Sequence, residues 1–124
     1  MLIMKAPFIF SRHSELIRIP HESIIFIESE GNYSCLYTIH DKQELISMQL
    51  GNLHAYIEDF YDEEDSGFIR IGRKFIINRR YIYKINLTFS TLILSDGKTF
   101  KKSLEVSKPA LVSLKKMLEE EELS

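Results

Sequence analysis

A chain of 124 residues, 44% hydrophobic and 27% charged, carries enough apolar mass for one packed domain and too much for a disordered tail. Its single cysteine, Cys35, excludes an internal disulfide and a cysteine-based zinc cluster, and suits a reducing cytoplasm, where the protein is expected. Charges interrupt every apolar run well short of the roughly 18–20 residues of a membrane span, so none is expected.

The opening Met1 to Phe10 is apolar but short, lacks a basic leader and runs directly into Arg12, His13 and Glu15. That pattern argues against a signal peptide, and residues 1–12 are read as a first strand or a docking arm. Leu16 to Ile19 alternates and stops at Pro20, which cannot donate to a ladder. Ile24-Ile25-Phe26-Ile27 is nearly continuous in apolar character and predicts a strand buried on both faces. Gly31-Asn32 supplies a turn into a partner strand from Tyr33 to Ile39, and Asp41-Lys42 turns the chain into Glu44 to Met48. A hairpin followed by a third antiparallel strand is the expected result.

Leu50, Leu53, Ile57 and Phe60 recur at helical spacing and predict an amphipathic helix over 50–60. The acidic run Asp62 to Asp65 and Ser66-Gly67 end it in a solvated loop. Three extended pieces follow, Phe68 to Ile71, Lys74 to Ile77 and Tyr81 to Ile85, separated by Gly72-Arg73 and Asn78-Arg79-Arg80. Thr88 to Leu94 reads as a strand, Ser95 to Lys98 as a hairpin turn, and Thr99 to Lys102 as the returning strand. Ser107 is placed to cap a last helix with Pro109 in its first turn and Leu111, Leu114 and Leu118 facing inward. Its Glu119 to Glu122 end meets the negative pole of the helix dipole, so fraying is expected there. The whole reads as a mostly β, β-rich α+β domain over 13–119 with an acidic tail at 120–124. Small antiparallel sheets form an elongated body with one short mid-domain helix and a C-terminal helix.

No metal or catalytic constellation stands out. His13, His21, His40 and His54 lack ligand spacing, and no phosphate-binding glycine loop or nucleophile elbow occurs. Glu28 and Glu30 share one strand face, which alone is weak evidence for acid–base chemistry. The chain is therefore read as a non-enzyme without a cofactor.

Charge is distributed unevenly. The net charge is −2, yet residues 66–103 hold nine basic side chains against Asp96 alone, while the first 65 hold four basic and twelve acidic ones. Several of these cations fall at breaks between apolar pieces: Arg73 and Lys74 after Gly72, Arg79 and Arg80 after Asn78, and Lys101 and Lys102 near Gly97. Cations projected from loops on an apolar scaffold suit DNA, since lysine and arginine neutralise phosphates and an arginine fork can bond guanine O6 and N7. Asn32 and Ser34 at the first hairpin add neutral polar groups for a base edge or a phosphate. Asn78 is read instead as a turn residue that orients its loop.

Four segments then carry a family likeness. Glu22 to Tyr33, with its Glu-x-x-Gly-Asn-Tyr turn, the helix from Leu50 to Phe60, the stretch Phe68 to Arg79, and the hairpin Leu94 to Ser103 together resemble the LytTR family, the DNA-binding output domain of many bacterial response regulators. The likeness spans about Ile17 to Leu118. It implies loops that enter successive major grooves of double-stranded DNA, at direct-repeat sites, usually bound by two copies. It places Ser34 at the first base-contacting position, Arg73 at the second, and the stretch after Lys102 near the third, with Lys74 where the family usually has serine. After Ser103, where the family generally has arginine, this chain reads Leu104-Glu105. No receiver domain precedes the domain in this sequence, which suggests a stand-alone transcription regulator. The alternative is a protein-interaction module of the same fold, motivated by the pI near 6.1, by Glu105 and by the missing receiver, pairing through Leu2, Ile3, Phe8, Ile9 and Phe10.

Overall fold

The computed structural model describes residues 5–41, 43–62 and 64–123. Leu2 and Ile3 of the opening arm, Lys42 of the second turn and Glu63 of the acidic run lie outside the described residues.

Among the described residues, three small antiparallel sheets and two α-helices make the fold, in keeping with the mostly β reading. A hairpin, β1 (Phe8–Arg12) with β2 (Glu15–Ile19), opens the chain. The central sheet has the order β5-β4-β3-β7-β6, built from β3 (Ile24–Glu30), β4 (Tyr33–Thr38), β5 (Gln43–Ile46), β6 (Phe68–Ile71) and β7 (Phe75–Asn78). A third sheet, β10-β9-β8, joins β8 (Ile82–Asn86), β9 (Thr91–Ser95) and β10 (Lys101–Glu105). Between β5 and β6 lies helix α1 (Leu50–Tyr61), and α2 (Lys108–Glu122) closes the chain.

Both faces of the central sheet are covered, which explains its unbroken apolar runs. In β7, Ile76 faces the core shared with the β1–β2 hairpin and α1, while Phe75 and Ile77 face the core shared with the third sheet and α2. β3 departs from strict alternation. A register shift between Ile24 and Phe26 turns Ile25 and Phe26 to the same side, and all four residues of Ile24 to Ile27 are buried. On α1 the buried positions are Leu50, Leu53, Ile57 and Tyr61, one stripe at helical spacing. The helix stops at Asp62, whose backbone takes a positive φ (54°) and whose N–H returns to the Glu58 carbonyl.

Three local readings change. The strand expected from Thr88 begins only at Thr91, because 87–90 form a turn in which the Asn86 side-chain oxygen accepts the Phe89 N–H at 3.1 Å. The returning strand begins at Lys101 rather than Thr99. The Asp96 carboxylate accepts the backbone N–H groups of Lys98, Thr99 and Phe100, which withdraws them from the ladder. These bonds hold Asp96 well below the usual carboxylate range. Finally, Ser107 precedes α2 without a side-chain capping bond; the helix runs to Glu122, where Glu121 and Glu122 face Arg79.

Candidate nucleic-acid interface

Strand register decides which of the basic residues share a surface. Glu28 pairs with Phe75 and Glu30 with Tyr33, so the Gly31-Asn32 turn and the Gly72-Arg73-Lys74 turn lie at the same end of the central sheet. Both turns open on a left-handed glycine, Gly31 (φ 65°) and Gly72 (φ 61°), a backbone that a side-chain-bearing residue adopts only with strain. Asn32, Arg73 and Lys74 are all exposed there. Lys74 is tied back by its carbonyl, which accepts the Ser29 N–H at 2.8 Å, and its ammonium stands 3.4 Å from Glu28. Arg73 has no ion-pair partner among the described residues, so its guanidinium is free to meet an anion.

The N-terminal end of α2 also lies at this end, since a Cβ on Gly72 would stand 3.9 Å from that of Ala110. Glu105, exposed at the end of β10 and paired with Thr91, leads into the same region through Val106, whose N–H bonds the Ser90 carbonyl. Two carboxylates, Glu30 and Glu105, therefore border the Arg73 end without an ion-pair partner among the described residues. Glu28 is countered by Lys74.

Arg79 lies elsewhere. β7 carries the chain from Phe75 to Asn78, roughly 10–13 Å at the usual rise, so Arg79 sits at the opposite end of the sheet from Arg73. Its guanidinium stands 2.5 Å from Glu121 and 4.0 Å from Glu122, and α2 thus reaches from one end of the sheet to the other. Lys101 pairs with Ser95 and Lys102 with Leu94, whose other neighbour is Ile82; the adjoining Phe100 ring packs on Tyr81 at 5.1 Å. These lysines therefore lie toward the Arg79 end, with Lys101 exposed and Lys102 half-buried.

Ser34 is not a surface group. It is fully buried, and its hydroxyl donates to the Met48 carbonyl at 2.8 Å. Asn78 orients its loop as read from the sequence. Completely buried, it donates to the His21 and Ile24 carbonyls at 3.1 and 2.8 Å and accepts the Arg80 N–H at 3.3 Å. Sequence reasoning gave no role to two residues that matter here. His21 is buried against Tyr61 and Phe68, with Nε2 2.7 Å from the Ser66 carbonyl. Gln49 donates from Nε2 to Asn32 Oδ1 at 3.1 Å. Both contacts join residues far apart in the chain, and neither leaves a periodic signal. Cys35 is buried, and desolvation pushes its thiol pKa up.

A β-rich scaffold thus sets an exposed arginine, lysine and amide on two adjacent hairpin turns. The chain belongs to the LytTR family: the LytTr DNA-binding domain matches residues 14–119. In three dimensions the chain is similar to the LytTr DNA-binding domain of a Bacillus cereus protein described as a methyl-accepting/DNA response regulator. That likeness has 20% identity and a TM-score of 0.61, and covers 92% of this chain and 97% of that one. None of the curated proteins matches this chain. The family is a DNA-binding one rather than a catalytic one. No group of three metal-ligating side chains occurs among the described residues, and no helix there is long and apolar enough to cross a membrane.

Proposed function

We propose that this protein is a transcription regulator that reads double-stranded DNA in a sequence-specific way through the Asn32 and Arg73 turns. The observation that carries the reading is the register that sets both turns at one sheet end, with Arg73 unpaired. The β3–β4 and β6–β7 turns are centred two strand spacings apart, about 10 Å, less than the roughly 12 Å width of a major groove. Arg73 reads a base edge with its fork, Asn32 offers an amide to a neighbouring base, and Lys74 takes a phosphate. Glu105 leaves no cation at the third position, so base reading is concentrated in the two turns. Lys101 adds a phosphate contact only where the duplex extends along β10. The natural site is a direct repeat occupied by two copies.

Selection of bound sites from a random duplex library at modest salt tests this. Recovery of a repeated motif with spacing near one helical turn, about 10–10.5 base pairs, is the expected result. Two carboxylates at the Arg73 end favour weak phosphate affinity, the feature expected of the interaction-module alternative. No motif above background, together with no retention on heparin at low salt, would establish that alternative.

A further inference from the structure

We propose that Gln49 sets the base preference of Asn32, acting as a positioning residue behind the β3–β4 turn. The inference rests on the DNA-reading role proposed above. Gln49 occupies the position just before α1, and its carbonyl accepts the Leu53 N–H at 2.9 Å. The backbone leading to it is anchored residue by residue. Arg12 donates to the Ser47 carbonyl at 2.6 Å, Ser34 donates to the Met48 carbonyl at 2.8 Å, and the Met48 N–H returns to Ile46 at 2.8 Å. From that fixed point the Gln49 amide donates to Asn32 Oδ1 at 3.1 Å. A ring of contacts thus runs from Asn32 along β4 to Ser34, across to Met48, on to Gln49 and back to Asn32. Ser34 gains a part in recognition that its burial denies it as a direct contact.

The chemistry of the bond gives it a consequence. With one Oδ1 lone pair engaged and the amide plane fixed, Asn32 offers its Nδ2 hydrogens to the groove as donors. Donors match acceptor edges, guanine O6 and N7 or thymine O4. The bidentate pairing of an amide with adenine also needs Oδ1 to accept in the groove, and the bond to Gln49 turns that oxygen toward the scaffold. Both side chains are exposed in the free protein, where water competes for the bond; docking into a groove removes that water and strengthens it.

The test uses the duplex motif recovered by selection and its single-base variants, titrated in competition. The proteins are the wild type, Gln49→Leu, Gln49→Glu, Asn32→Ala and the double variant Asn32→Ala/Gln49→Leu. Their folding is checked by urea titration. Gln49→Leu is expected to lose about fivefold or more in discrimination at one base pair, with salt dependence unchanged. The double variant should match Asn32→Ala alone. Gln49→Glu, which can only accept, draws Nδ2 inward and should shift preference at that pair toward adenine or cytosine. Losses that multiply in the double variant, or a base preference unmoved by either Gln49 substitution, would overturn the proposal while leaving DNA reading intact. A wild type that recovers no motif overturns the DNA reading, and the Gln49 role with it.

Discussion

Arg79 stands 2.5 Å from Glu121 at the end of β7 opposite Arg73, so five residues of sequence separate a neutralised arginine from a free one. The pair also explains why an acidic run persists as helix at the pole where the dipole disfavours it. Both side chains are partly exposed, so solvent screens the attraction. Arg79→Gln should cost no more than about 1 kcal/mol of stability, and the loss should shrink with added salt. Binding to a selected duplex should change little. Thermal unfolding at two salt concentrations, run beside a duplex titration, checks both statements.

Arg73 and Lys74 should behave differently from one another although they are neighbours. Arg73→Ala removes a fork with no internal partner and should weaken specific binding by about 1–3 kcal/mol, relaxing discrimination at one base pair. Lys74→Ala should leave discrimination intact and reduce the slope of log affinity against log salt by about one phosphate's worth. The same substitution frees Glu28 from its partner, adding a repulsive carboxylate at the duplex. Lys101→Ala and Lys102→Ala should act only on the salt slope, with Lys101 the larger because Lys102 is half-buried. Titrations at three salt concentrations separate these effects.

Asn78 carries the junction between β7 and the turn that follows it. Removing its amide in Asn78→Ala leaves two carbonyls and one N–H to find other partners in a buried site. A loss of about 2–4 kcal/mol is expected. Urea denaturation should show a lower midpoint with an unchanged slope, the mark of altered stability rather than altered compactness.

His21 links stability to pH. Burial holds its imidazole below the ordinary value of 6.5. The bond to the Ser66 carbonyl works in the opposite direction, and Lys5 and Arg80 push the same way as burial. The unfolded chain then binds a proton that the folded chain resists, so stability rises with pH wherever only the unfolded form is protonated. Stability is therefore full above about pH 6.5 and declines as pH falls below it, until the folded imidazole also protonates. His21→Gln keeps a donor for Ser66 and removes the titration. That variant should be less stable at neutral pH yet show a flatter profile between about pH 7.5 and 5.5. A profile as steep as the wild type's would assign the pH dependence to other groups.

Elements whose burial has a period were legible in the sequence. The run Ile24 to Ile27 announced a strand covered on both sides, and Leu50, Leu53 and Ile57 announced α1, because each pattern is written in consecutive residues. The start of β10 was misread because one carboxylate, Asp96, captures three N–H groups that propensity alone assigns to the ladder. The break at Gly72-Arg73 between two apolar pieces placed Arg73 on a turn, where it is found. Composition could not say that Arg73 and Arg79 fall at opposite ends of one short strand, since a charge count carries no direction. The burial of Ser34 was hidden for a related reason. Its neighbour Tyr33 is exposed while Ser34, Cys35 and Leu36 are buried together, which makes the Ser34 hydroxyl a clamp on Met48. Gln49 was invisible because its partner is 17 residues away.

The most direct measurement compares wild type, Arg73→Ala and Arg79→Ala on one selected duplex and on a scrambled duplex of equal length, at the same salt. The account predicts that wild type prefers the selected duplex, that Arg73→Ala loses most of that preference, and that Arg79→Ala keeps it. Equal loss in the two variants, or a preference that survives Arg73→Ala, would contradict the claim that DNA is read at the Asn32 and Arg73 end of the sheet.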